Sequence, residues 1–77
     1  MDKKDIEEKI IEIAKQNTGS DIKSEESLKE SGIDSLALVT LIVSIEDEFK
    51  ITFSDDDLNP ERLRHLSDLV NLTEKYL

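Results

Sequence analysis

Few residues of this chain have a type and setting suited to covalent chemistry. The foremost is the hydroxyl within Gly32-Ile33-Asp34-Ser35-Leu36. Asp34 is a good helix N-cap, because its carboxylate can accept a hydrogen bond from an orphan backbone N–H of the first turn. Ile33, just before the cap, and Leu38, at the fourth helical position, have the spacing of a hydrophobic staple. Ser35 then falls at the first helical position, with its side chain directed to solvent. The macrodipole and the free N–H groups at that end of a helix favour anions. A phosphodiester on Ser35 would therefore sit in a suitable field.

The other candidates are weaker. His65, the only histidine, formally makes a triad with Ser35 and an acid. A bundle this small has little room for a pocket, oxyanion donors and a buried orienting acid together. His65 is therefore read as a surface residue at a helix junction, and no catalytic residue is assigned. Asp55-x-Asp57-x-Asn59 begins like a calcium loop, but the sixth position is Pro60 and the twelfth is Leu66, where glycine and a bidentate glutamate are required. No metal site is assigned. Without cysteine there is no thiolate nucleophile, disulfide or zinc-thiolate site.

The elements that must hold Ser35 follow from periodicity. Residues 3–16 predict a first helix, with Ile6, Ile10 and Ile13 as its stripe, Ile11 and Ala14 at the edges, Asp2 as cap and Gly19 as a left-handed stop. Residues 17–34 have no sustained period and form a long connection. Ile22, Leu28 and Ile33 are spaced to pin it to the core, Ser24-Glu25-Glu26-Ser27 reads as a short turn, and Gly32 permits an unusual backbone or a close approach. Residues 35–49 predict the second helix. Its expected inner face is Leu36, Val39, Ile42 or Val43, and Phe49, widened by Leu41 and Ile45, and Lys50 ends it. Ser54-x-x-Asp57 and Asn59-Pro60 are successive starts for a short helix over 55–63. Residues 66–77 are the last helix, with Leu66, Leu69, Val70, Leu72 and Tyr76 as its apolar face. The expected fold is all-α: a small four-helix bundle, three main helices plus one short one, forming a single domain over residues 1–77.

Charge narrows the partners. The net charge is −9, and from Glu30 to Glu61 there are nine acids against one base, Lys50. Such a field repels nucleic acid and anionic membrane and attracts a basic protein surface. Glu46, Asp47 and Glu48 lie near a helix C-terminus, where acids oppose the macrodipole, so docking a basic partner is the favoured reading for them. Leu38 is either half of the staple or an exposed partner contact. No apolar run approaches the ~20 residues of a membrane span, and the N-terminus lacks the apolar core of a signal peptide. A cytoplasmic monomer is expected.

The run Leu28-x-x-x-Gly32-Ile33-Asp34-Ser35-Leu36, then Val39-x-Leu41-Ile42, then Ile45-Glu46-x-Glu48-Phe49-x-Ile51, resembles the acyl carrier protein family. The likeness extends through Asp55-Asp56-Asp57-Leu58 to the last helix. The resemblance implies that Ser35 carries 4′-phosphopantetheine, with Asp34 and Leu36 as the flanking motif residues. It implies a phosphopantetheinyl transferase using magnesium and coenzyme A, and acyl-loading and acyl-processing enzymes with basic docking patches as further partners. It implies thioester cargo in fatty acid, polyketide or related biosynthesis, and no catalysis by the chain itself. Where such carriers sequester cargo, Val39, Ile42, Ile45, Phe49, Ile51, Leu63, Leu66 and Val70 correspond to the lining. The early part of the second helix has Ala37, Leu38 and Thr40 where carriers of primary fatty-acid synthesis usually have acids, and Ser31 replaces an apolar residue. An aminoacyl- or peptidyl-type carrier of a dedicated pathway is thus a competing reading, as is an unmodified acidic docking module.

Overall fold

The computed structural model describes residues 2–23, 26–59 and 61–77. Three α-helices make up the frame: α1, Lys3–Thr18; α2, Ser35–Phe49; and α3, Leu66–Tyr76. No strand occurs among the described residues, so the fold is all-α as expected. The short fourth helix is reduced to one 3-10 turn at Asp55–Asp57.

The inner face of α1 is Ile6, Ile10, Ile13 and Ala14. Fully burying an aliphatic side chain of this size contributes about 1.5–3 kcal/mol, which is what keeps so thin a core together. The helix runs two residues past its expected end. The Asn17 amide and Thr18 hydroxyl donate back to the Ile13 and Ala14 carbonyls at 2.9 and 2.7 Å. Gly19, at φ 72°, then closes the helix by donating its N–H to the Lys15 carbonyl. Asp2 has the extended backbone of an N-cap, but its side chain makes no capping bond.

The long connection is pinned. Ile22, Leu28 and Ile33 are all buried in the common core. Ser27 and Glu30 cap each other: the Ser27 N–H donates to the Glu30 carboxylate at 3.0 Å and the Glu30 N–H to the Ser27 hydroxyl at 3.1 Å. The Leu28 N–H donates to the Arg64 carbonyl at 2.7 Å, fastening the connection to the start of α3. Gly32, at φ 94°, turns the chain into the Ile33–Asp34 entry of α2. The expected turn over 24–27 lies partly outside the described residues, as does the Pro60 helix start.

α2 has its expected bounds but not its expected face. Leu38, Leu41, Ile42 and Ile45 point inward, while Leu36, Val39 and Val43 are 78%, 57% and 57% exposed. The helix is apolar around much of its girth, so its own periodicity favours no single face. Ile33 and Leu38 are both buried beside the cap, and this fixes the rotation. Lys50 ends the helix in the left-handed region, at φ 57°, its N–H donating to the Glu46 carbonyl.

After the 3-10 turn, Asn59 caps a single turn: its side-chain oxygen accepts the Glu61 N–H at 3.0 Å. The short helix expected over 55–63 is thus present as the 3-10 turn Asp55–Asp57. Ser54 makes no side-chain cap, and its N–H instead donates to the Tyr76 hydroxyl at 2.9 Å. The Tyr76 hydroxyl donates to the Asp57 carboxylate, which Lys75 also approaches. Tyr76 meets Phe53 edge-on, with ring centroids 5.1 Å apart. At the other end of α3, the Asp68 carboxylate accepts the His65 and Arg64 N–H groups at 3.0 and 3.1 Å. α1 packs against both α2 and α3, which approach each other less closely.

Candidate modification site

Ser35 opens α2 on the exposed side. Its hydroxyl makes no hydrogen bond with any described residue. Asp34 performs the expected cap, its Oδ1 accepting the Ala37 N–H at 2.8 Å, while its carbonyl accepts the Leu38 N–H at 2.8 Å. Among the described residues the N–H groups of Ser35 and Leu36 have no acceptor, at the positive end of a helix of 15 residues, where an anion is favoured. A nucleophilic oxygen that is exposed, unpartnered and held by a capped helix start is what attachment of a phosphate-linked group needs.

A groove of about 610 Å³ opens beside Ser35. Leu28, Ile33, Leu38 and Leu63 form its apolar floor, and Ser35 and Asp34 lie on its edge. Lys29 and Arg64 are among the residues that border it. His65 faces the same groove, but its Nδ1 stands 3.7 Å from the Asp68 carboxylate, too far for the hydrogen bond that orients a catalytic base. The Ser27 N–H, and after it the Ser27 hydroxyl, hold the nearby Glu30 carboxyl below its ordinary pKa.

The remaining residues singled out in the sequence scatter across the fold. Ile42, Ile45, Leu63, Leu66 and Val70 are buried together in the core, with Phe49 and Ile51 packed against it. Val39 is not: it sits on the outer side of α2 and lines no interior space. Leu38 is the converse case. At 8% exposure it belongs to the core and the groove floor and offers no free docking surface, so of its two readings the staple stands. The acidic trio divides. Glu46 accepts the Phe53 N–H at 2.8 Å and Glu48 pairs with Lys9 at 2.9 Å, leaving Asp47 alone of the three without a partner among the described residues. In the Asp55-x-Asp57-x-Asn59 stretch, Asp57 is held by Tyr76 and Lys75, and the Asn59 side chain caps its own turn.

Lys29 and Arg64 were not singled out from the sequence. The available signal was Ser27-x-x-Glu30, a reciprocal capping pattern that fixes where Lys29 stands. The joining of Leu28 to Arg64 is a long-range contact with no local trace.

Residues 6–73 match the phosphopantetheine attachment site family. Over 66 residues the chain is 44% identical to an acyl carrier protein homolog of Mycoplasma genitalium, covering 80% of this chain and 76% of that one. It is 36% identical over 72 residues to an acyl carrier protein of Exiguobacterium sibiricum, covering 91% and 86%. It is also 41% identical over 69 residues to a non-reducing polyketide synthase of Talaromyces marneffei, covering 84% of this chain but only 4% of that far longer protein. With the fold, the open hydroxyl and these likenesses together, the chain belongs to the acyl carrier proteins, the family that bears covalent 4′-phosphopantetheine.

Proposed function

We propose that Ser35 anchors the 4′-phosphopantetheine arm and that the chain carries acyl groups, as thioesters on that arm, between separate enzymes of fatty acid or polyketide synthesis. The observation that carries this reading is the exposed, unpartnered Ser35 hydroxyl at the capped start of α2. Attachment joins the Ser35 oxygen to the phosphorus of coenzyme A's phosphopantetheine half. The pyrophosphate bond breaks, the nucleotide half leaves, and the serine proton passes to a base of the transferase. The arm supplies a thiol that a cysteine-free chain does not possess. What the chain's own residues do is hold and present: Asp34 fixes the helix start, and the free N–H groups of the first turn face the phosphate. Tethering then gives each partner site a high effective concentration of cargo.

Partners are a phosphopantetheinyl transferase and enzymes that load and process the cargo. Leu36, Val39 and Val43 form an exposed apolar stripe that continues from the anchoring residue, which suits an apolar contact on those enzymes. Asp47 and the wider acidic field suit a basic rim around that contact. Among the described residues no helix is long and apolar enough to cross a membrane. A monomer acting in the cytoplasm and lacking catalysis of its own completes the reading.

The apolar start of α2 also favours a second reading, an aminoacyl- or peptidyl-type carrier of a dedicated pathway, since it lacks the acids that an electrostatic partner would read. Incubation with a broad-specificity transferase and coenzyme A tests the first step. One adduct of phosphopantetheine mass is expected, absent from Ser35→Ala. No adduct on the unaltered chain, from a transferase active on a control carrier, would leave only an unmodified docking module.

A further inference from the structure

We infer that Glu30 is a positioning residue for the modification of Ser35: its carboxylate locks the turn through which the chain enters α2, and so sets where the Ser35 hydroxyl stands. This deepens the proposed function and rests on Ser35 being the anchor. With no hydrogen bond of its own among the described residues, the Ser35 hydroxyl takes its place from the backbone on either side. On one side is α2, held by the Asp34 cap and by the buried Leu38. On the other is the turn over 27–33. Leu28, buried, donates its N–H to the Arg64 carbonyl at 2.7 Å, and Ser27 forms an isolated antiparallel bridge with His65. Ile33, also buried, donates its N–H back to the Leu28 carbonyl at 2.8 Å and leads directly into Asp34.

Glu30 closes that turn from within. Its Oε1 accepts the Ser27 N–H at 3.0 Å, and its own N–H donates to the Ser27 hydroxyl at 3.1 Å. A charged acceptor makes the first of these the stronger kind of bond. The Ser27 N–H, and then its hydroxyl, hold the Glu30 carboxyl below its ordinary pKa, so the turn keeps the ionised form. With Glu30 removed, the turn has lost its reciprocal side-chain tie, and the entry into α2 samples more than one position. A transferase needs the serine oxygen in line with the phosphorus it attacks. It therefore engages only the fraction of molecules whose turn is closed, and apparent affinity falls with that fraction. The competing role for an exposed acid is a charge read directly by the transferase. Glutamine separates the two, because it keeps an acceptor for the Ser27 N–H and gives up the charge.

The test follows transfer from coenzyme A to the parent, Glu30→Ala, Glu30→Gln and Tyr76→Phe by intact mass, at several carrier concentrations. Glu30→Ala should raise the KM for the carrier by about threefold with kcat unchanged, the scale of one lost hydrogen bond. Glu30→Gln should return KM close to the parent's. In Glu30→Ala the Leu28 and Ile33 amides should exchange their hydrogens faster, and in Glu30→Gln they should not. Tyr76→Phe loses a carboxylate bond far from the turn and should leave KM in place. A Gln form as poor as the Ala form means that the charge itself is read, and overturns the inference. So does an Ala form with the parent's KM or unchanged amide exchange, and so does a Tyr76→Phe form with the same rise in KM, which makes the effect one of global stability. Mass separates the two levels: a parent that takes no adduct removes the anchor itself, whereas a full adduct with any of these three results removes the role of Glu30 alone.

Discussion

The Glu46 carboxylate accepts the Phe53 backbone N–H at 2.8 Å, tying the last turn of α2 to the segment that follows the left-handed turn at Lys50. Glu46 is half-buried, so this bond matters to the fold as well as to the charge of the surface. Glu46→Ala should lower stability by about 1.5–3 kcal/mol, the range for a hydrogen bond to a charged group. Glu46→Gln keeps the acceptor and should recover most of that loss in denaturant unfolding. The pair of variants also separates roles: a partner that reads the charge would bind the Gln form as weakly as the Ala form.

Thr73 is fully buried on α3, and its hydroxyl has no hydrogen-bond partner among the described residues. A buried unpaired hydroxyl costs about 1–3 kcal/mol relative to one left in water. Thr73→Val replaces it with a methyl of the same shape. The urea midpoint should rise, with an unchanged slope and a gain of about 1 kcal/mol.

The positive φ of Lys50 is held without glycine's freedom. A non-glycine residue in the left-handed region costs about 1–2 kcal/mol, less what glycine loses in chain entropy. Lys50→Gly should stabilise by roughly 0.5–1 kcal/mol. Gly32→Ala should act in the opposite sense, since φ is 94° and a Cβ there would stand 3.4 Å from the Ser20 hydroxyl oxygen. Thermal unfolding of the two variants in one buffer checks both signs.

Acid and base should act on different contacts. The Tyr76 hydroxyl, first, and then Lys75 lower the Asp57 carboxyl below its ordinary pKa. A carboxylate depressed in the folded state contributes stability above its unfolded pKa and loses it as pH falls through the folded value. The Glu30 carboxyl, held down by Ser27, has the same sign. Lys9 is raised, chiefly by its hydrogen bond to Glu48, so its contribution is present below the ordinary lysine pKa and is lost as pH rises through the folded value. Falling pH also relieves the repulsion of a −9 chain. The clean observable is therefore a difference: Tyr76→Phe should lie below the parent in melting temperature near neutrality, and the gap should narrow as pH falls below about 4, leaving the pH-independent part that comes from the lost Ser54 N–H bond.

What was legible in the sequence was local. Asp34, Gly19 and the Ile33–Leu38 pair announce caps, stops and a staple through chemistry that acts over a few residues, and the helix limits followed. The inner face of α2 was not legible, because Leu36, Val39 and Val43 are as apolar as Leu38, Ile42 and Ile45. Periodicity reads contrast, and there is none. The short helix is confined to Asp55–Asp57, and what the sequence did not show there is that the Asp57 carboxylate and the Ser54 backbone N–H are tied to Tyr76, some twenty residues away. Glu46 and Glu48 were read as surface charge because their partners, Phe53 and Lys9, are set by tertiary packing.

Val39 offers the sharpest check on that rotation. If it lined an interior space, truncation would cost several kcal/mol, as Ile42→Ala should, at about 2–4 kcal/mol. At 57% exposure, Val39→Ser should change stability by no more than about 0.5 kcal/mol. Its effect belongs to encounter instead. The stripe lies next to the Ser35 hydroxyl, so on the proposed reading an enzyme that modifies Ser35 must cover Leu36 and Val39 or pass close to them. Removing an apolar contact at the centre of such an interface costs about 1–2 kcal/mol. The kcat/KM of a phosphopantetheinyl transferase should therefore fall roughly tenfold for Val39→Ser while the melting curve stays in place. A loss of melting temperature matching that of Ile42→Ala would return Val39 to the core and remove the stripe as a docking face.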